Sequence, residues 1–242
     1  MDRSATFSRS VTLFRAFRRE QSDPDDFYGI LAADSVAQLS RWVDLPGTTV
    51  LDVGGGPGYF ADAFRGAGAT YVGLEPDAGE MAARGEIEPG TLRGSGEELP
   101  IRTGAVDVCY SSNVLEHVRR PWAMADEMVR VTRPGGLVYL SYTPWLSPWG
   151  GHETSPWHYL GGMRARRRYV RQTGAEPKNR FGESLFRVTA GGAARWARSC
   201  PDADLLAVLP RYHPWWAAWV ARVPGLREFA SWNFVLVLRK RG

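Results

Sequence analysis

At 242 residues the chain is long enough to bury the core of one α/β domain and short for two. Hydrophobic residues at 44% and charged ones at 23% exclude a disordered chain, and no apolar run reaches the length of a membrane span. The net charge of +4 is almost wholly arginine, Lys178 and Lys240 being the only lysines, which points to a GC-rich genome rather than to a nucleic-acid partner. Cys109 and Cys200 give neither a disulfide framework nor a metal-ligand spacing, so no metal is expected.

The opening MDRSATFSRSVTLFRAFRRE has no continuous apolar run ahead of a small-residue cleavage site. Arg18-Arg19 also lacks the apolar stretch of a twin-arginine signal, so a cytoplasmic location is expected. Thr6 to Arg19 sets Phe, Val and Leu against Arg at helical spacing. An amphipathic helix packed on the domain is expected there, with a lid or a membrane-surface helix as alternatives. Pro24 breaks this helix, and Leu31 to Trp42 forms the next, ending at the Pro46-Gly47 turn.

Thr48 to Phe60 reads TTVLDVGGGPGYF. Val50, Leu51 and Val53 make a buried parallel strand, and Gly54, Gly56 and Gly58 form a turn that feeds a helix over Tyr59 to Arg65. Such a turn aims backbone N–H groups at a ligand. Its glycines do not have the G-x-G-x-x-G spacing that holds a pyrophosphate, which argues against a nicotinamide-dependent oxidoreductase. Asp52 would repel a pyrophosphate but suits a ligand that carries an ammonium group, such as S-adenosylmethionine (SAM). Thr70 to Glu75 is the second strand, and Glu75 falls about 20 residues past the turn, where a carboxylate accepts ribose hydroxyls. Pro76 and Asp77 precede a short helix through Arg84. Beyond them come the loop Arg93 to Ile101, a buried strand over Val106 to Ser111, and the segment SNVLEHV over Ser112 to Val118. A helix over Trp122 to Thr132 follows, opened by Pro121 and stopped at Arg133-Pro134-Gly135-Gly136, then a fifth strand over Leu137 to Tyr142.

The acid and glycine turn, the Gly94-to-Pro100 loop, Leu115-Glu116-His117-Val118 and the helix–Pro-Gly-Gly–strand pattern occur in this order over residues 48 to 142. Together they resemble the class I SAM-dependent methyltransferases that act on small molecules. The resemblance implies an α/β doubly wound, mostly parallel seven-stranded sheet forming one domain over 1–242. Residues 1–46 would be N-terminal helices and lid, 48–142 the SAM-binding core, 143–188 an acceptor-pocket insert after strand 5, and 189–242 the rest of the sheet. It further implies SAM as cofactor and S-adenosylhomocysteine as product. Asp52 and the backbone of Gly54, Gly56 and Gly58 would hold the methionine end, Glu75 the ribose, and Pro76 the flank of the adenine. Ser95, Gly96 and Glu97 would meet the adenine edge, with Ser95 standing where the family commonly has Asp. Asn113 to His117 would border the methyl group, and Phe27 and Tyr28 would cover the site.

Thr143 to about Arg187 is long for a connection and dense in Trp, Pro and Gly. His152 and His158 lie in it and are the first candidates for a general base, with Glu153 beside them; His117 is the third. Tyr142, Trp145, Trp149 and Trp157, with Tyr159, are candidate walls of the acceptor pocket, and Trp145, Trp149, Trp157 and Tyr159 more often make a small core within such an insert. Met163 to Gln172 is an arginine-rich helix, read as a solvated face. Thr189 to Arg198 is a helix, Asp204 to Pro210 a strand, and Ser231 to Leu238 an apolar strand at the sheet edge. Between these last two, Trp215, Trp216, Trp219, Val220 and Val223 share a rough helical face. That face is expected to pack on the sheet or on a second subunit in a homodimer, with peripheral membrane contact as the alternative. The expected reaction is O-methylation of a glycoside, glycolipid or secondary metabolite. C-methylation of a quinone or polyketide ring and SAM binding without methyl transfer are the alternatives. No nucleic-acid partner is expected.

Overall fold

The computed structural model describes residues 4–19 and 22–242, so the reading of a leaderless start falls partly outside them. Seven strands form one sheet in the order β3-β2-β1-β4-β5-β7-β6. Strand β1 (Thr49–Val53) lies parallel to β2 (Thr70–Glu75) on one side and to β4 (Val106–Ser112) on the other. Two-residue β3 (Leu92–Arg93) pairs parallel with β2, and β5 (Thr132–Tyr142) pairs parallel with β4. Strand β7 (Phe234–Lys240) is antiparallel to both β5 and β6 (Ala203–Pro210).

Alternation along the strands divides the core in two. Leu51, Val53, Leu74, Val138 and Leu140 face α5 (Pro121–Val131) and α7 (Ala190–Ser199), which bury Met124, Met128, Ala193 and Ala194 against them. Val50, Tyr71, Val108, Tyr110 and Tyr139 face α1 (Phe7–Phe17), α2 (Pro24–Leu39) and α3 (Ala61–Gly66). Asp52 shares this second face with Val50 and is 1% exposed.

Four elements differ from expectation. Pro24 does not only end a helix; it opens α2, because a proline in the first turn gives up no helical hydrogen bond and Asp23 caps the Asp26 N–H at 3.2 Å. The short α4 covers Ala78–Met81 and stops before Arg84. Strand β7 is interior rather than at the edge: Phe234 to Leu238 are all fully buried, since both faces are apolar and both need cover. The edge falls to β6, where Asp204 and Leu206 are exposed. Finally, the aromatic segment after β6 forms a 3-10 stretch over Trp215–Arg222 and α8 (Leu226–Ala230), which bury the small residues Ala217 and Ala221 with Val220. Trp216 and Trp219 are more than half exposed, so the sheet, one of the expected partners of this face, does not cover them.

Helix α1 buries Leu13 and Ala16, sets Phe17 against Phe27 and Trp149, and ties Arg9 to Asp34 of α2 and to the carbonyl of Arg211. The insert after β5 carries two 3-10 turns, His152–Thr154 and Trp157–Leu160, and α6 (Gly162–Thr173) closed by left-handed Gly174. Among the described residues no helix is long and apolar enough to cross a membrane.

Candidate active site

The glycine turn leaves the carboxyl end of β1, where parallel α/β sheets bind their ligands. Gly54, Gly56 and Gly58 have φ of 78°, 53° and 83°, which side chains rarely adopt. A Cβ on Gly54 would lie 2.5 Å from the Val114 side chain and one on Gly58 would lie 2.5 Å from Glu88, so protein neighbours fill those two flanks. A Cβ on Gly56 meets nothing within 4 Å, so the turn faces open space there. At the end of β2, Glu75 accepts from the Gly56 N–H at 3.3 Å and from the Asp77 N–H at 3.1 Å. Burial raises its pKa, and the two backbone donors oppose that rise.

Asp52 lies beneath the turn rather than in it. Its Oδ2 accepts the Tyr71 hydroxyl at 2.9 Å, and burial pushes its pKa up to about 7 against the opposing effect of that hydrogen bond. Tyr28 of α2 stacks on Tyr59 at 4.4 Å between ring centres, and Arg84 covers Tyr59 at 5.2 Å, so the N-terminal helices reach the turn. Pro76 is exposed, and its carbonyl accepts from Arg93 at 3.2 Å. Ser95 bridges to Glu98, and its hydroxyl accepts the Glu97 N–H at 3.1 Å. Gly96 presses on Val53 and Met124, where a Cβ would lie 3.1 and 3.2 Å away. The Glu97 carboxylate accepts the Arg120 N–H at 2.9 Å and the Arg120 Nε at 2.8 Å, so it anchors the loop to the start of α5.

The end of β4 carries the other half of the site. Asn113 adopts φ 58°, and its Oδ1 accepts from Asn233 at 2.6 Å. A 3-10 turn over Leu115–His117 follows at once. Glu116 is 1% exposed, with Oε1 accepting the Thr143 N–H at 2.9 Å and Oε2 without a partner. His117 Nδ1 lies 2.7 Å from the Ser184 carbonyl; a carbonyl only accepts, so Nδ1 carries the proton and a neutral ring keeps a lone pair on Nε2. His152 of the insert faces His117 at 5.1 Å between ring centres, and its buried Nε2 has no partner. Burial, with His117 and His158 nearby, pushes the His152 pKa down to about 3. Ligand atoms of Glu116, His117 and His152 lie within 4.8 Å of one another, a grouping that linear spacing did not reveal.

Other expected site residues lie elsewhere. His158 is buried, with Nε2 3.2 Å from the Ser147 carbonyl and Nδ1 3.3 Å from the Ser155 hydroxyl; both nitrogens are engaged, so it holds the insert and has no free lone pair for a base. Glu153 accepts from Asn179 at 3.0 Å rather than orienting an imidazole. Tyr142 is fully buried, packed on Phe234, and donates to the Thr189 carbonyl at 3.0 Å, which makes it core and not pocket wall. Trp145 is buried against Phe181 and His158 inside the insert. Trp149 and Trp157 are partly exposed, the first against Phe17 and the second under Arg168 at 3.9 Å. Sequence reasoning missed Tyr71, Arg120, Ser184 and Asn233, none of which carries a local signal. Glu116 was covered only by the expectation that Asn113 to His117 border the methyl group.

Residues 51–140 match a family model described as a methyltransferase domain. The chain is 57% identical to an uncharacterized methyltransferase of Mycolicibacterium gilvum (strain PYR-GCK), over 97% of this chain and 95% of the relative. It is 53% identical to another of Mycobacterium marinum (strain ATCC BAA-535 / M), over 99% and 97%. Its fold is similar to that of an S-adenosylmethionine-dependent methyltransferase from Mesorhizobium loti, with TM-score 0.57 and 19% identity over 86% of this chain and 97% of that one. It is also similar to that of the cyclase SpnF, with TM-score 0.54 and 17% identity over 86% and 80%. A turn open at Gly56, a carboxylate at the end of β2 and relatives this similar over almost the whole length lead to one statement: the chain belongs to the class I SAM-dependent methyltransferase family.

Proposed function

We propose that this enzyme methylates an oxygen of a small-molecule acceptor, a glycoside, glycolipid or secondary metabolite, between the end of β4 and the 143–188 insert. One observation carries the reading: Glu116, His117 and His152 converge beside Val114, which itself packs against Gly54 of the turn. SAM, when bound, supplies an electrophilic methyl group on its sulfonium. The turn backbone at Gly54 to Gly58 is assigned to the methionine end, with Asp52 supporting it from below through Tyr71. Glu75 is assigned to the ribose and the Ser95–Gly96 backbone to the adenine. Alignment of donor and acceptor supplies most of what an in-line displacement needs. A hydroxyl must also lose its proton; His117, its Nδ1 held by the Ser184 carbonyl, suits that task, whereas His152, whose pKa burial pushes down to about 3, is assigned to the pocket wall beside it. An aromatic carbon or an amine has no such need, so the cluster favours O-methylation over C-methylation.

The exposed Trp216, Trp219, Val223 and Phe229 support an acceptor met at a membrane surface, with the enzyme itself cytoplasmic. Tyr28, Trp149 and Trp157 are assigned to the acceptor side.

Calorimetric titration with SAM and S-adenosylhomocysteine tests the first half of the reading. Micromolar binding is expected, weakened about 10–100-fold in Glu75→Gln through lost charged hydrogen bonds. Transfer from labelled SAM to a panel of hydroxyl acceptors tests the second. His117→Asn with His152→Asn is expected to keep SAM binding and lose turnover. Near wild-type turnover in that double variant overturns the role given to these histidines, and transfer to none of the hydroxyl acceptors by wild type overturns the oxygen reading.

A further inference from the structure

Glu116 and His117 follow β4, whereas His152 comes from the insert 35 residues on, yet their ligating atoms lie within 4.8 Å of one another. Each is held from behind. The Thr143 N–H fixes one oxygen of Glu116 and leaves Oε2 buried without a partner. The Ser184 carbonyl holds the Nδ1 proton of His117, which makes Nε2 the ring nitrogen with the lone pair. His152 is held at φ 48°, a conformation uncommon outside glycine that concentrates at functional sites, and its buried Nε2 also lacks a partner. No hydrogen bond joins His152 Nε2 to Glu116 Oε2. An unpartnered buried carboxylate oxygen beside imidazole lone pairs is costly by itself, and a cation satisfies all of these groups at once.

We propose that Glu116, His117 and His152 are the protein ligands of a single divalent transition-metal ion of the zinc class. Two imidazoles and one carboxylate are a donor set that zinc accepts. A carbonyl on the far nitrogen is the outer contact that fixes a ligating histidine in its tautomer. Metal–ligand bonds of about 2.0–2.2 Å require the three atoms to close up within their present spacing. Three protein ligands leave a coordination position open, as catalytic zinc sites do and structural ones do not. An acceptor hydroxyl bound there loses its proton to solvent, its oxygen pair forms the new C–O bond, and the electrons of the broken S–CH3 bond stay on sulfur. This last step rests on the oxygen-methylation reading and replaces the proton-accepting role of His117, whose lone pair the metal then holds; the metal site itself does not rest on that reading.

The test uses the full chain, stripped by a chelator and titrated with Zn2+ by calorimetry and with Co2+ by visible absorption. One equivalent of metal is expected, with the cobalt bands of a four-coordinate site. Glu116→Gln and His152→Asn are expected to weaken binding by more than the about 10–100-fold that loss of an outer contact costs. Glu153→Gln, which alters the adjacent side chain that pairs with Asn179, is expected to bind as wild type. Circular dichroism and SAM titration show that each variant is folded. Absence of binding to folded wild type, or equal binding in both ligand variants, overturns the proposal. Metal binding without hydroxyl methylation would sustain the site and reject the oxygen reading. Full-rate hydroxyl methylation by stripped protein that binds no metal would reject the site and leave that reading standing.

Discussion

Asp52 shows how one buried acid couples the cofactor turn to pH. It has Tyr71, Tyr110, Cys109 and Glu75 for neighbours, and burial raises its pKa from 3.8 to about 7. The folded state therefore keeps a proton that the unfolded chain releases. The resulting stabilisation is complete below the unfolded value, is lost as pH rises through the folded one, and is absent above it. For wild type, urea unfolding is expected to show an Asp52 contribution that falls by on the order of 2–4 kcal/mol between pH 4 and pH 8. Asp52→Asn, neutral throughout, is expected to match wild type near pH 4 and exceed it at pH 8. An Asn variant no more stable at pH 8 would refute the assignment. Two glycines divide the turn's roles in the same measurable way. Gly54→Ala forces a Cβ onto Val114 and should cost about 2–4 kcal/mol of stability. Gly56→Ala meets no protein atom, should cost about 1–2 kcal/mol for its φ, and should weaken SAM binding disproportionately. Measuring unfolding and SAM affinity on both variants separates the two effects. Glu75 and the glycines could be picked out from sequence because their spacing is local. Tyr142 and His158 could not be placed, because a tyrosine at a strand end or a histidine in an insert faces core or cleft according to packing set by distant residues.

Helices and strands were legible wherever punctuation and periodicity agreed. Helix α7, read as Thr189 to Arg198, spans Ala190–Ser199 with Thr189 as its cap, and α6 and β6 lie within a residue or two of their expected bounds. What the sequence hides is the second support of α7. The Glu228 carboxylate crosses from α8 to accept the Ala190 and Gly191 N–H groups at 2.9 and 2.6 Å, placing negative charge at a helix N-terminus. Glu228→Ala should lower stability by about 1–2 kcal/mol, a fall of a few degrees in melting temperature, and leave SAM affinity unchanged. A variant with unaltered melting would show that Thr189 alone sustains the helix start. The helix that begins at Pro24 was misread for a related reason: a proline ends one helix and starts another equally well, and only the Asp23 cap decides.

On the scale of the molecule, Arg211 joins the sheet to the helices that cover one of its faces. Just past β6, its fully buried guanidinium donates to Ser112 of β4 at 2.6 Å, to Ser141 of β5 at 2.8 Å and to Ser35 of α2. Its carbonyl receives Arg9 of α1 at 3.0 Å. Arg211→Leu strands several of these groups and should destabilise by about 3 kcal/mol, at about 1–3 kcal/mol for each buried group left unpaired. Two-state urea unfolding measures it, and a loss below about 1 kcal/mol would show that the serines re-pair among themselves.

Strand β7 carries a consequence for synthesis. It is made after every other strand yet lies between β5 and β6, which do not touch each other without it. While the ribosome is still at work, β5 offers a bare apolar edge and β6 has no neighbour to join. Such an edge invites pairing with another nascent chain, so this enzyme is most exposed to aggregation just before residues 234–240 emerge from the exit tunnel.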